Sequence, residues 1–526
     1  MAGNSRLGAR LAVFAAQRPG LLVALSLVAL FGFYLTTTLN HDVSWYLVAT
    51  DRLLHGARLY VDIIEVNPPL AFYLTMPPVA FARLTGIGPM ACFVGYAFLL
   101  IACSLLLIHR LLDRQPGLSA GYRSAMLLAA ATALAIAPIG VFGQREHLML
   151  IFGLPYLFLI SARLADHRCN RRFAALIGLY AALGFCLKPH FFLVPAALEL
   201  YLIARSRSLS AAFRAESLSL LAGTVLYVLF VIVVHPQYFG FIVPNAMLVY
   251  DAYAMPLLQV VLKPSVFAVL PAVVLYAILR STGTAGRSAD AFAIAAVGFL
   301  VVYVAQSKGW RYQLLPASTT ACLTAAAMVV EMARVRHTSQ TVRLLWLIGG
   351  GALSIPLIML VAGGAYGNPV AQRLLPAVEN YAEHGTVYAF TSRVLVGFPL
   401  VNEAGVRWAS RFPAQWILPG ALRHLAQPQT LDAQTEDGLR LLERYAAGAV
   451  IEDLERSPPD LVIVDKDRDY YGNLAFDSLA YFGRYPRFAA FWRPYVKIGD
   501  VAFTAAGARY EYELWCRRNA ARHCTG

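Results

Sequence analysis

Long apolar runs recur through roughly the first 365 residues, and this feature most constrains the fold. A helix that crosses a bilayer needs about 20 consecutive, mainly apolar residues. The chain is 59% hydrophobic and 14% charged, whereas a soluble domain has about 25% charged residues. The sequence therefore predicts an α-helical polytopic membrane protein with about eleven transmembrane helices. They are drawn near 20–39, 90–108, 124–141, 148–162, 173–187, 190–204, 217–234, 257–279, 289–305, 313–333 and 344–365.

The distribution of arginine predicts the orientation in the cytoplasmic (inner) membrane. The N-terminal segment is basic, and no small-residue cleavage site follows the run 21–39, which indicates a retained first helix. Arginines then concentrate in alternate short loops, as expected for loops on the cytoplasmic side. This pattern predicts a cytoplasmic N-terminus. It also accounts for the net charge of +14 and argues against a nucleic-acid partner.

The composition changes to that of a soluble domain after about Gly367. Residues 387–390 and 461–465 have the pattern of short buried strands, and 431–450 has helical apolar spacing. We expect a transmembrane bundle over 1–366 with a long first outer loop at 40–89. An extracytoplasmic α/β domain is expected over 367–526. Cys516 and Cys524 lie in its tail, where they could pair, although spacing alone leaves this open.

The loop from Asn40 to Leu70 carries an unusual number of carboxylates for a connector beside a membrane. They are Asp42, Asp51, Asp62 and Glu65. Ionisable groups at a membrane are costly and usually functional. Asp42 directly follows the first span, where a carboxylate can act as a general base on a hydroxyl. A helix cap is the alternative for Asp42, and Glu65 could either orient a site or cap a helix.

Further polar clusters fall in the loops assigned to the same, outer side. Arg145 and Glu146 could simply neutralise each other as a buried pair, and lysines at the ends of spans can extend their charge to the interface. However, basic residues recur in several of these loops, on the outer side, where the positive-inside rule makes them rare. This recurrence favours binding of a lipid phosphate. The expected phosphate-binding residues are Arg145, Lys188, His190, Lys308 and Arg311. The expected site-shaping or acceptor-binding residues are His41, Glu65, Glu146 and His147.

Cofactor use stays open on sequence grounds. Asp42, Glu146 and His147 are able to ligate a divalent metal, but their spacing is not diagnostic. The sequence contains no P-loop, no dinucleotide-binding glycine turn and no Gly-x-Ser-x-Gly motif. The sequence therefore predicts no definite cofactor and leaves a divalent metal open, and a nucleotide-driven mechanism has no support.

The chain resembles the GT-C superfamily of integral-membrane glycosyltransferases, which includes protein O-mannosyltransferases, the lipid A aminoarabinose transferase and arabinofuranosyltransferases. The resemblance rests on Asp42, the first loop with LLHGARLYVDIIEVNPPL, Arg145-Glu146, Lys188-Pro189 and Lys308-Gly309-Trp310. It implies inverting transfer of a sugar from a polyprenyl-phosphate donor to a hydroxyl of a glycan, lipid or protein acceptor, with Asp42 as base. Many members have Asp-Glu in the first loop where this chain has His41-Asp42.

Two other functions fit a chain of this composition. A transporter or flippase of a lipid-linked sugar would also bind a polyprenyl phosphate, but transporters tend to show internal repeats and charges near the bilayer midplane. Neither feature is evident in this sequence. A membrane scaffold with a binding domain is the third possibility, and loss of sugar transfer on replacing Asp42 would separate these functions.

Overall fold

The structure is a computed structural model that describes residues 18–283, 286–332, 340–427, 431–466 and 476–518. Cys524 and the other residues discussed above that fall elsewhere lie outside the described residues. Cys516 is disulfide-bonded. The chain divides into two compact units. Unit 1 comprises 1–38, 81–230 and 255–366, and unit 2 comprises 39–80, 231–254 and 367–526.

Helices dominate the chain up to residue 366. In order they are α1 (Pro19–Leu35), α2 (His41–Leu54), α3 (Leu70–Thr85), α4 (Pro89–Asp113), α5 (Ala120–Ala135), α6 (Arg145–Leu164), α7 (Arg171–Phe185), α8 (Leu193–Ser206), α9 (Ala215–Val234), α10 (Val243–Val249), α11 (Leu257–Val261), α12 (Pro264–Phe267), α13 (Leu270–Ser281), α14 (Asp290–Gln306), α15 (Leu315–Met332) and α16 (Gln340–Val361). Short 3₁₀ turns lie at Pro189–Phe192, Leu209–Phe213, Tyr250–Tyr253 and Arg311–Leu314, and a π-helical turn at Tyr238–Ile242.

The remaining elements belong to the C-terminal part. Its helices are α17 (Pro369–Tyr381), α18 (Val394–Gly397), α19 (Leu400–Ala404), α20 (Ile417–Leu425), α21 (Ala433–Arg456), α22 (Ser478–Gly483) and α23 (Pro486–Trp492). Its strands are β1 (Thr386–Phe390), β2 (Arg407–Trp408), β3 (Leu461–Asp465), β4 (Tyr495–Ala505) and β5 (Ala508–Arg517). The two strands predicted from sequence, 387–390 and 461–465, are confirmed as β1 and β3.

Five helices within the described residues are long and apolar enough to cross a membrane, which supports a multi-pass membrane protein. They are Pro89–Asp113, Arg145–Leu164, Ala215–Val234, Pro264–Ser281 and Arg311–Met332. The predicted count of about eleven is therefore wrong. Several predicted spans are shorter helices, such as the 17-residue α1 and α14. At 1.5 Å per residue such a helix covers only about 26 Å, less than the hydrocarbon thickness of about 30 Å.

The helices of unit 1 differ sharply in burial. In α6, 89% of the most apolar window is buried inside the protein, whereas the corresponding value for α9 is 11%. Helix α6 is thus a core helix of unit 1, and α9 exposes apolar side chains as a lipid-facing helix does. At the end of α1, Tyr34 stacks on Phe142 at 4.0 Å between ring centres. Its hydroxyl donates to the Ala135 carbonyl at 3.0 Å, which links α1 to α5.

Unit 2 is built on a five-stranded sheet with the order β2-β1-β3-β5-β4. Strand β1 pairs in parallel with β2 and β3, whereas β3–β5 and β5–β4 are antiparallel. Strand β1 is buried throughout, and so are the first four residues of β3. This is expected for central strands that are covered on both faces.

Two segments distant in sequence complete unit 2. The Ile64 amide donates to the Arg411 carbonyl at 2.8 Å, which ties segment 39–80 to the C-terminal part. The Tyr253 hydroxyl donates to the Trp416 carbonyl at 2.8 Å, which does the same for segment 231–254. Tyr73 and His235 join these two segments to each other, with 2.7 Å between Oη and Nε2. Segment 39–80, which covers most of the loop predicted at 40–89, is therefore part of a unit that also contains the sheet.

Candidate functional site

The start of α6 is held in place by His147, which is fully buried. The Gly143 amide donates to His147 Nδ1 at 2.9 Å, so Nε2 carries the proton and donates to the Leu134 carbonyl at 2.7 Å. Gly143 has φ +79°, a conformation that glycine adopts without strain. Because both ring nitrogens bind backbone groups, His147 fixes the turn that presents Arg145 and Glu146.

Glu146 is fully buried and forms an ion pair with Lys188, which is 6% exposed. The Lys188 Nζ donates to Glu146 Oε1 at 2.6 Å. The other carboxylate oxygen, Oε2, is buried and has no hydrogen-bond partner among the residues that the structure describes. A buried carboxylate oxygen without a donor is costly, so this atom marks a position where a donor group of a ligand would be stabilising.

Three more side chains surround the ion pair. The Lys188 Nζ lies 5.3 Å from the centre of the Tyr312 ring, a favourable cation–π distance. Arg145 precedes Glu146 and is 5% exposed. His190 lies in the Pro189–Phe192 turn, and its buried Nε2 has no hydrogen-bond partner within the described part of the chain. Arg145, Glu146, Lys188, His190 and Tyr312 are called the Glu146 cluster below.

The protonation of His190 follows from its surroundings. Burial, reinforced by the positive charges of Lys188 and Arg145, lowers the pKa of His190 to about 3. The ring is therefore neutral at physiological pH and offers one donor and one acceptor. The Glu146 cluster thus combines two fixed cations, one carboxylate and one neutral imidazole. Such a set is suited to an anionic group that carries hydroxyls.

Lys308 and Arg311 lie on the connection between α14 and α15. Lys308 is 9% exposed. The Arg311 Nη2 donates to the Leu360 carbonyl at 2.6 Å, near the end of α16. A cation at the C-terminal carbonyls of a helix stabilises that helix end. Binding of phosphate by Lys308 and Arg311 remains a prediction.

Asp42 lies in the first turn of α2, within unit 2. The Asn40 side chain caps this helix by accepting from the Asp42 amide at 3.0 Å. His41 Nε2 lies 3.7 Å from Asp42 Oδ1, and the side chains of His41 and Asp42 are 25% and 18% exposed. Asp42 is thus a partly accessible carboxylate, as a general base requires.

Glu65 is a buried carboxylate that is saturated with donors. Its Oε2 accepts from the Trp45 indole at 2.9 Å. Its Oε1 accepts from the Val66 amide at 2.9 Å and from the amide and side chain of Asn67 at 3.2 and 2.5 Å. These contacts join α2 to the Asn67-Pro68-Pro69 turn. The carboxylate thus orients the loop.

The structure brings together Arg145, Glu146, Lys188 and His190 in unit 1, and His41 with Asp42 in unit 2. Tyr312, which lies beside Lys188, and Trp45, which donates to Glu65, were not among the predicted site residues. The basic residue pairing with Glu146 comes 42 positions later, so no local motif could reveal that contact.

The described residues contain no group of three or more His, Cys, Asp or Glu side chains placed to hold a metal ion. Within unit 1, Glu146 pairs with a lysine, and both nitrogens of His147 bind backbone groups. The role of a metal therefore stays open, as it does from the sequence.

Comparison with known proteins gives structural likeness only. No protein-family model matches the sequence, and no curated protein matches it. One cryo-EM structure of arabinofuranosyltransferase AftD from mycobacteria matches with 14% identity and a TM-score of 0.42, over 95% of this chain and 41% of AftD. A second class of that structure matches with 13% identity and a TM-score of 0.41, over 96% of this chain and 42% of AftD. The chain thus spans about two fifths of AftD, and likeness at this level establishes neither family nor activity.

Proposed function

We propose that this chain is a membrane glycosyltransferase. It transfers a sugar from a polyprenyl-phosphate donor to an acceptor hydroxyl, and it does so with inversion at the anomeric carbon. The observation that carries the proposal is the Glu146 cluster, in which a buried carboxylate oxygen and a buried imidazole nitrogen lack partners in the described chain beside two buried cations. In a sugar phosphate, the sugar supplies hydroxyls for the carboxylate oxygen and the imidazole nitrogen. The phosphate supplies an anion for the two cations.

Each charged group then has a chemical task. Lys188 and Arg145 stabilise the phosphate as it departs with the electrons of its bond to the anomeric carbon. Glu146 Oε2 accepts a hydroxyl of the sugar, which orients the donor. Asp42 is proposed as the general base from the resemblance to GT-C enzymes. It takes the proton of the acceptor hydroxyl as the acceptor oxygen forms its bond to the anomeric carbon.

The proposal includes a membrane orientation. The N-terminus is cytoplasmic and the domain at 367–526 is extracytoplasmic, as the arginine distribution indicates. A cysteine placed at the exposed position Glu379 should react with a membrane-impermeant maleimide added to spheroplasts. Labelling only after lysis would place this domain in the cytoplasm and contradict the proposed orientation.

The decisive test uses the two partners of one ion pair, with farnesyl phosphate as the probe. Lys188→Met should weaken binding by the purified full chain at least about tenfold, because a hydrogen bond to a charged group contributes about 1.5–3 kcal/mol. Glu146→Gln should bind the probe at least as tightly as the native chain, since it removes the anion that competes for Lys188. Sugar transfer should be lost in both variants.

A matched control is available in unit 1. Glu216 is also fully buried, but its Oε1 accepts from Arg163 and Arg214 at 2.8 and 3.0 Å and its Oε2 accepts from Arg163 at 3.1 Å. Glu216→Gln should leave the affinity for farnesyl phosphate unchanged. If Lys188→Met and Glu146→Gln weaken binding equally, the pair is only structural and the proposed site is wrong.

The role of Asp42 is tested separately. With a panel of polyprenyl-phosphate sugars, Asp42→Asn should reduce transfer at least about 100-fold, the usual contribution of a general base. Binding of farnesyl phosphate should be unchanged. Asp62→Asn is the control, because the Asp62 carboxylate pairs with the exposed Arg58 side chain, at 3.2 Å. Transfer at the native rate in Asp42→Asn would remove Asp42 from this role, and binding without any transfer in the native chain would favour a transporter.

A further inference from the structure

A groove of 690 Å³ lies in unit 1 between α8, α13 and α14. Its size falls in the range of ligand sites, about 300–1,000 Å³. Most of its wall is aliphatic, and it includes Leu193, Ala197, Val273, Ala277, Val297 and Val301. The Glu146 cluster contributes none of the lining residues, so the groove is a separate feature.

The groove opens on a surface that is itself apolar. Val274 and Ile278 on α13 are each 54% exposed, and Val301 on α14 is 50% exposed. Helix α13 lies within the candidate membrane span Pro264–Ser281. The medium beside such a surface is lipid hydrocarbon. The apolar ligand available to the groove is therefore a lipid chain.

One end of the groove is charged. Arg280 and Ser281 line it there, in the last turn of α13. The Arg280 Nε donates to Asp290 Oδ1 at 3.2 Å, and Asp290 also accepts from Tyr201 at 2.9 Å and from Tyr276. The Asp290 side chain is 5% exposed and that of Arg280 is 32% exposed. The cation is thus the accessible partner, held in place by a buried acid.

We propose that this groove binds one acyl chain of an anionic phospholipid, with the lipid phosphate at Arg280. A guanidinium suits this role, because it can hold Asp290 through one edge and a phosphate through another. Gly298 forms part of the wall, and a Cβ added there would lie 2.9 Å from Val194 Cγ2. The close approach of α8 and α14 at Gly298 bounds the groove on that side.

The test is native mass spectrometry of the purified full chain with dioleoyl phosphatidylglycerol or dioleoyl phosphatidylcholine. The native chain should retain phosphatidylglycerol at least fivefold more than phosphatidylcholine. Ala277→Trp and Val301→Trp each fill the groove from a different wall, and both should lose the retained lipid. Ile278→Trp is the matched control, because Ile278 is exposed on α13 but does not line the groove.

Variants of Arg280 test recognition of the lipid head group independently of binding of the acyl chain. Arg280→Gln should reduce the preference for phosphatidylglycerol to less than twofold, and Arg280→Lys should keep most of it. Equal lipid retention by the native chain, Ala277→Trp and Val301→Trp would overturn the proposal. Displacement of phosphatidylglycerol from the groove by equimolar farnesyl phosphate, abolished by Ala277→Trp, would also overturn it by making the groove a site for the isoprenoid. Neither result depends on whether the chain transfers a sugar.

Discussion

Glu65 in unit 2 and Glu146 in unit 1 are buried glutamates with opposite surroundings. Four donors surround the Glu65 carboxylate. Glu146 has Lys188 on one oxygen and, in the described chain, no hydrogen-bond partner on the other. A saturated carboxylate gains nothing from a ligand, whereas an unsaturated one gains the hydrogen bond that burial has denied it. Burial alone therefore does not distinguish structural from functional acids, but the donor count does.

The first prediction concerns the saturated acid and has the largest expected effect. Glu65→Ala leaves the Trp45 indole and the Asn67 side chain, among other donors, without their acceptor. Each buried unsatisfied group costs about 1–3 kcal/mol, so the free energy of unfolding should fall by more than about 3 kcal/mol. Denaturant titration of the full chain measures this change. The affinity for farnesyl phosphate, measured where the variant is folded, should stay native.

Glu65→Gln serves as the graded control for that experiment. It keeps one acceptor oxygen and should lose less stability than Glu65→Ala. A loss below about 1 kcal/mol in Glu65→Ala would contradict the distinction between the two glutamates, because four hydrogen bonds would then contribute almost nothing.

The second prediction tests Arg311, whose guanidinium donates to the Leu360 carbonyl. Arg311→Gln should lower the free energy of unfolding by about 1–2 kcal/mol, since a charged hydrogen bond at a helix end is lost. Farnesyl phosphate affinity should stay within twofold of native. A tenfold loss of affinity, similar to that of Lys188→Met, would instead place Arg311 at the phosphate.

The third prediction is a pH dependence from the unsaturated cluster. The pKa of His190 falls from 6.5 to about 3 on folding, so the unfolded chain binds more protons between these values. The stability contributed by neutral His190 is complete above about pH 6.5 and declines as pH falls toward 3. In His190→Gln, the slope of stability against pH between 6.5 and 5 should decrease by at most about 1.4 kcal/mol per pH unit.

An unchanged slope in His190→Gln would show that the imidazole titrates in the folded chain as it does in the unfolded one, and the Glu146 cluster would then be wetter than its burial indicates.

The fourth prediction concerns an exposed ion pair and has the smallest expected effect on the free energy of unfolding. Arg58 and Asp62 form a pair at 3.2 Å, and the Arg58 side chain is 72% exposed. Arg58→Gln should change the free energy of unfolding by less than about 0.5 kcal/mol. A larger effect would mean that the loop depends on its surface charges as well as on Glu65.

The sequence predicts well what local patterns determine. Strands β1 and β3 are uniform apolar runs, so their positions could be read directly, and the predicted helix at 431–450 corresponds to α21. The antiparallel pair β4 and β5 was not predicted, because half-exposed strands carry a weaker signal. The number of spans was overestimated, since apolar composition also marks helices at or below the lower limit of span length, such as the 17-residue α1 and α14.

The roles of individual acids could not be predicted from the sequence. The first loop stands out for its carboxylates, yet Asp62 pairs with Arg58 and Glu65 binds Trp45 and the Asn67 turn. Whether an acid is saturated depends on donors that can be distant in the chain, as Lys188 is from Glu146. Three-dimensional contacts therefore decide which acids can serve a ligand.

The composition of unit 2 from three separated segments has a consequence during synthesis. Residues 39–80 leave the ribosome hundreds of positions before Arg411, whose carbonyl accepts from the Ile64 amide. Pairings of such long sequence separation form late and slowly. The growing polypeptide must therefore carry its first loop without its final neighbours until the last third is made, so truncation there would leave the loop a target for quality-control proteases.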